Sequence, residues 1–153
     1  MKFKKTREEK LAENYVELHY RTMDAEAQEV ERLLGGKSLL LGRQENESRL
    51  IAPEDVFYLE VVDRRLYVYL ENEVWQLDSG LQEVVDAYGR YGFVRTTKSM
   101  AVNIGKVKSI ASDINARIRL QLCNEEEIIM NRAYKKAFYQ KLGEYCKKAG
   151  KIE

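Results

Sequence analysis

Phe93-Val-Arg-Thr-Thr-Lys-Ser-Met-Ala-Val-Asn-Ile-Gly-Lys-Val107 is the stretch that decides the reading of this chain. A short apolar strand carries Arg95 and leads to Lys98 and Ser99. An apolar turn is then expected through Val102 and Asn103. Cations and a hydroxyl gather where the backbone turns. No nucleophile, metal-ligand set or phosphate loop stands near them. Such a loop suits contact with a polyanion better than chemistry on a small substrate.

Charge outside this stretch is uneven. Residues 1–60 hold 10 Lys/Arg against 13 Asp/Glu, and residues 61–153 hold 16 against 12. Residues 90–119 contain seven cations (Arg90, Arg95, Lys98, Lys106, Lys108, Arg117, Arg119) and one acid, Asp113. Residues 132–151 contain seven more against Glu144 alone. Clustered cations are the footprint of a nucleic-acid face, and equally of a solvated, Lys-rich surface. A chain of 153 residues with 44% hydrophobic content can build one domain with an appendage. No apolar run approaches membrane-spanning length, and the charged N-terminus lacks a secretory apolar segment. A cytoplasmic protein with Cys123 and Cys146 as free thiols is expected.

The coarse pattern is α+β, mainly antiparallel β. Residues 1–14 read as a tail. Tyr15-Val-Glu-Leu-His-Tyr20 alternates as a strand, and Asp24 caps a helix over residues 25–34 that stops at Gly35-Gly36. Ser38-Leu-Leu-Leu41 and Ser48-Arg-Leu-Ile51 read as two further strands. Residues 1–51 thus form a small β-α-β-β extension, and a composition shift near residue 52 marks the boundary of a second unit over residues 52–153. There, Val56-Phe-Tyr-Leu-Glu-Val-Val62 and Leu66-Tyr-Val-Tyr-Leu70 flank the polar break Asp63-Arg-Arg65 as a hairpin. Val74-Trp-Gln-Leu77 follows, and then a helix to Tyr88 capped by Asp78 or Ser79. Arg117-Ile-Arg-Leu-Gln-Leu122 alternates strictly and pairs with residues 107–111. Glu127-Ile-Ile-Met130 leads to a closing helix over residues 133–145.

Catalytic patterns are absent. His19 is the sole histidine and sits in an expected strand of the acidic half. A Ser–His or Cys–His pair would have to use it. Gly35-Gly36 lacks the Lys-Ser/Thr of a phosphate loop. No catalytic residue, metal site or cofactor is expected. The basic loops remain: Arg64 and Arg65, Lys98 and Ser99, and Arg132 all fall at strand ends or loops, where Lys and Arg neutralise phosphates and Arg reads guanine edges.

From Ala52 onward the chain resembles the LytTR family of bacterial DNA-binding domains. Asp55-Val-Phe-Tyr-Leu-Glu60, Leu66-Tyr-Val-Tyr-Leu70 and Leu81-Gln-Glu-Val-Val85 match its first strands and helix in order. Phe93-Val-Arg-Thr-Thr-Lys-Ser-Met-Ala-Val-Asn103 matches its Phe-x-Arg-x-x-x-Ser-x-x-Val-Asn signature. Glu127-Ile-Ile-Met-Asn-Arg132 with Tyr134 matches the strand before its terminal helix. The resemblance implies stacked small antiparallel sheets, a short helix and a C-terminal helix. It also implies loops, rather than a recognition helix, in successive major grooves of double-stranded DNA. Carried over by position, the DNA-binding set is Arg64, Arg65, Arg95, Lys98, Ser99, Asn103 and Arg132. Lys98 is the expected base reader and Arg95 a backbone contact. Ser99 and Asn103 are equally suited to bracing the loop. Asn131 departs from the family's usual Ser. The chain looks like the stand-alone branch without a receiver domain, with the extension serving dimerisation. A regulatory module that meets an acidic protein partner is the alternative reading.

Overall fold

Ten antiparallel strands and three helices are found in the computed structural model, which describes residues 1–35, 39–115 and 117–149. The chain divides into two compact units, Met1–Ser38 and Leu39–Glu153.

In the first unit the only regular element among the described residues is helix α1 (Ala25–Gly35). Its first turn is capped as expected: Asp24 Oδ1 accepts the Ala27 backbone N–H at 2.9 Å. The Met1 ammonium lies 3.3 Å from Glu26. Residues 15–20, expected as a strand, are irregular, and His19 is exposed beside Glu17. Alternation here has no partner strand to satisfy its backbone, so it does not become a ladder. Gly36 and Ser38, parts of the expected helix stop and first hairpin strand, lie outside the described residues.

The second unit is built on a seven-stranded sheet. Its strands are β1 (Leu40–Gln44), β2 (Glu47–Ile51), β3 (Tyr58–Val62), β4 (Arg65–Tyr69), β5 (Val74–Leu77), β6 (Phe93–Thr97) and β7 (Met100–Asn103). Their order is β2-β1-β5-β4-β3-β7-β6. The β1–β2 hairpin therefore extends the same sheet, through Arg43 opposite Gln76, and falls on the second unit's side of the division. Gly42 in β1 sits under Ile51 and Trp75; a Cβ there would come within 2.6 Å of Ile51 Cδ1 and 2.7 Å of Trp75 Cβ. A second, three-stranded sheet has the order β10-β9-β8, from β8 (Val107–Ser112), β9 (Ile118–Leu122) and β10 (Glu127–Met130).

Period-2 alternation sorts these strands into two cores. Leu59, Leu66, Val68, Trp75 and Leu77 face α2 (Leu81–Tyr88), which contributes Leu81 and Val84. Phe57, Val94 and Val102 face the other way, onto Ile118, Leu120, Leu122, Ile128 and Met130 of the small sheet and Phe138 of α3 (Lys135–Ala149). Strand β7 is covered on both sides: Ala101 belongs to the first core and Val102 to the second. The segment expected as an apolar turn is thus a central strand, and its turn is confined to Lys98 and Ser99. The N-cap of α2 is Gly80, not Asp78 or Ser79. Its N–H is accepted by Glu83 Oε2 at 3.3 Å, and Asp78 is engaged by Arg43 instead.

Candidate nucleic-acid interface

Pairing register brings three polar turns to one end of the large sheet. Val62 opposite Arg65 closes the β3–β4 turn at Asp63 and Arg64. Both turn residues have positive φ, 51° and 66°, as a tight two-residue hairpin requires. Strand β7 lies beside β3 with Met100 opposite Glu60, and the Val61 N–H donates to the Ser99 carbonyl at 2.8 Å. The Lys98 and Ser99 turn therefore neighbours the Asp63 and Arg64 turn. The third segment arrives from the small sheet: the Asn131 N–H donates to the Thr96 carbonyl at 2.8 Å, which seats Arg132 beside the same hairpin. A register shift between Arg95 and Thr97 accompanies this second bond at Thr96.

Cations at this end differ from those of the small sheet. Arg64, Arg65, Lys98 and Arg132 are exposed and hold no ion pair among the described residues. Those on the small sheet are neutralised. Arg117 and Arg119 lie 3.7 and 3.8 Å from the Asp113 carboxylate, and Arg119 also reaches Glu127 at 4.0 Å. Lys108 Nζ bonds Glu125 at 2.9 Å, which holds its ammonium protonated above the ordinary lysine range. Desolvation alone would raise Asp113. The backbone N–H groups of Arg117 and Asn115 and the two guanidinium groups outweigh it and hold the carboxyl below the usual range. The sequence count of seven cations to one acid over residues 90–119 thus overstates the free charge of that segment.

The remaining signature residues, Asn103, Ser99 and Arg95, range from buried to exposed. Asn103 is buried; its Nδ2 donates to the Val56 carbonyl at 2.8 Å and its Oδ1 accepts the Gly105 N–H at 3.0 Å. Both ends of the amide are spent on the fold. Ser99 is exposed, and its backbone serves the turn: its N–H is accepted by Thr97 Oγ1 at 3.2 Å. Arg95 is half-buried and occupied, with Nη1 donating to Gln82 Oε1 at 2.9 Å and Nη2 to the Lys98 carbonyl. Asn131 does the work available to the Ser it replaces. Its Oδ1 accepts the Ala133 N–H at 3.1 Å and caps the 3-10 turn Arg132–Tyr134.

The LytTr DNA-binding domain matches residues 46–143. The chain belongs to the LytTR family. It is 27% identical over 99 residues to the sensory transduction protein LytT of Enterococcus faecalis; the match spans 65% of this chain but 41% of LytT. Among solved structures it is similar to the LytTr DNA-binding domain of a Bacillus cereus protein described as a methyl-accepting/DNA response regulator. The TM-score is 0.66 at 27% identity, over 71% of this chain and 99% of that one. The expected family, its mainly antiparallel fold and its non-enzymatic character all stand. This LytTR domain begins at the β1–β2 turn, ahead of Ala52, so the match includes strand β2. Among the described residues no cluster of His, Cys, Asp and Glu could hold a metal ion. No helix there is long and apolar enough to cross a membrane. Cys123 and Cys146 are free and exposed.

Sequence reasoning missed the supports of this site. Gln82 on α2, Thr96 within β6 and Tyr134 beside Arg132 fall inside the matched stretches, but the match gives none of them a role. Their roles come from the Arg95 guanidinium, which bonds Gln82 and lies over the Tyr134 ring, and from the inter-sheet bond at Thr96; none of these leaves a periodic trace.

Proposed function

We propose that this LytTR protein is a sequence-specific DNA-binding transcription regulator. Its contact surface is the sheet end that carries Arg64, Arg65, Lys98, Ser99 and Arg132. The observation that supports it most is the convergence of four cations, none ion-paired among the described residues, at or beside three neighbouring turns, while the cations of the small sheet are tied to carboxylates. Such an end presents charge to phosphates and forked or pointed donors to base edges in the major groove. Backbone conformation adds to this. Arg64 occupies a left-handed turn position where Gly or Asn would be less strained, and such outliers gather at functional positions. Asn103 is assigned to bracing. The proposed setting is the cytoplasm, with double-stranded DNA as partner. For the extension, residues 1–51, the proposed role is dimerisation; light scattering that gives the mass of one chain at working concentrations would refute that role.

Duplexes recovered by selection from a random library with the full chain provide the test. Lys98→Ala and Arg132→Ala are expected to weaken binding to the recovered duplex by about 1–3 kcal/mol each if they read base edges. A scrambled duplex should lose much less. Failure to enrich any sequence, with no binding at low salt, would refute the reading.

A further inference from the structure

We infer that Arg95 is a positioning residue, not a DNA contact: it holds the Lys98 turn against helix α2 and the segment that carries Arg132. The inference rests on the DNA-binding reading of this sheet end. Three elements meet on one guanidinium. Nη1 donates to Gln82 Oε1 on α2 at 2.9 Å. Nη2 donates to the backbone carbonyl of Lys98 itself. The guanidinium carbon lies 5.9 Å from the centre of the Tyr134 ring, two residues after Arg132. Nε is buried without a hydrogen-bond partner among the described residues.

Planar geometry explains why arginine stands here. One fork spans a side-chain amide and a backbone carbonyl while its central carbon lies over an aromatic ring, and a lysine ammonium cannot do all three. The acceptors are informative too. A phosphate-binding arginine points its donors outward, whereas this one spends one donor on the turn of the expected reading residue. A two-residue turn has few internal bonds to hold it. The bond from Arg95 to the Lys98 carbonyl fixes the peptide from which the Lys98 side chain projects. Bulge, brace and ring together make the Lys98 turn and the Arg132 segment a single unit, prepared before DNA arrives.

The full chain carrying Arg95→Ala, Arg95→Lys or Gln82→Ala tests this in two arms. The first measures affinity for the selected duplex and for a scrambled duplex across a salt series. A brace predicts loss on the order of tenfold on the selected duplex for both Arg95 variants, and a smaller loss for Gln82→Ala. It also predicts little change on the scrambled duplex and an unchanged salt slope. A phosphate contact predicts equal loss on both duplexes for Arg95→Ala, a log–log salt slope shallower by about 0.9, and near-wild-type binding by Arg95→Lys. That outcome overturns the inference. The second arm needs no DNA: amide hydrogen exchange at Lys98, Ser99 and Met100 in the free protein should quicken in both Arg95 variants. Unchanged exchange there also overturns it. If the wild-type chain bound no duplex, the DNA-binding reading would fall while the exchange arm still decided the brace.

Discussion

Replacing Asn103 with alanine should cost about 1.5–4 kcal/mol of stability. The donor bond to the Val56 carbonyl, 2.8 Å long, lies where Val56 is wholly buried. Truncation leaves that carbonyl without a partner or a route to water, a penalty of about 1–3 kcal/mol. The second bond, from the Gly105 N–H at 3.0 Å, is at an exposed residue that water can serve, so its loss costs about 0.5–1 kcal/mol. Urea unfolding followed by the fluorescence of the single tryptophan, Trp75, buried in the first core, reads the change. The midpoint should fall with an unchanged slope. Asn103→Asp supplies a sign check. A carboxylate facing the Val56 carbonyl is repelled, while a protonated carboxyl can donate to it, so its folded-state pKa is raised. The variant should approach wild-type stability as pH falls and lose it as pH rises through that pKa. A cost below about 1 kcal/mol for alanine, or an aspartate variant indifferent to pH, would refute the bracing role.

Other perturbations follow from the same contacts. Gly42→Ala should destabilise the fold by about 1–3 kcal/mol, because its Cβ would meet Ile51 and Trp75 at 2.6 and 2.7 Å; a neutral effect in the same urea assay would contradict that packing. Arg64→Gly should leave stability unchanged or raise it by up to about 1 kcal/mol by relieving the left-handed strain, while weakening DNA binding. A variant that gains stability and keeps full affinity would remove Arg64 from the interface. Burial, the Glu126 hydrogen bond and nearby carboxylates raise Tyr58, and burial and Glu60 raise Tyr69. Raised folded values mean the contribution to stability is whole below the ordinary tyrosine pKa of about 10 and is lost as pH climbs through the folded pKa. Ultraviolet titration should show Tyr58 and Tyr69 ionising late; no loss of late-ionising signal on Tyr58→Phe with Tyr69→Phe would count against the stacked pair, whose ring centres are 4.3 Å apart.

Much of this architecture was legible where one face of a strand meets water. Ile118, Leu120 and Leu122 alternate with Arg117, Arg119 and Gln121, and the first set is buried. The polar break at residues 63–65 became a turn at Asp63 and Arg64, with Arg65 opening β4. Period failed where both faces are covered: Ala101 and Val102 pack into different cores, so β7 has no polar alternation and reads as a turn. Residues 15–20 show the converse, an alternating stretch that pairs with no strand among the described residues. Charge was legible only as composition. Asp113 is one acid among seven cations in sequence, yet its carboxylate serves both Arg117 and Arg119. Positional matching ranked the half-buried Arg95 and the buried Asn103 with the exposed cations, since a shared motif does not say whether a side chain faces solvent or the fold.

The most direct test of the central claim is DNA binding by two charge variants of the full chain, compared on the selected duplex. Lys98→Ala with Arg132→Ala removes free cations from the sheet end; Arg117→Ala with Arg119→Ala removes the same charge from the ion-paired small sheet. The account predicts loss of specific binding for the first pair and nearly unchanged binding for the second. Equal loss from both, or greater loss from Arg117 and Arg119, would contradict it.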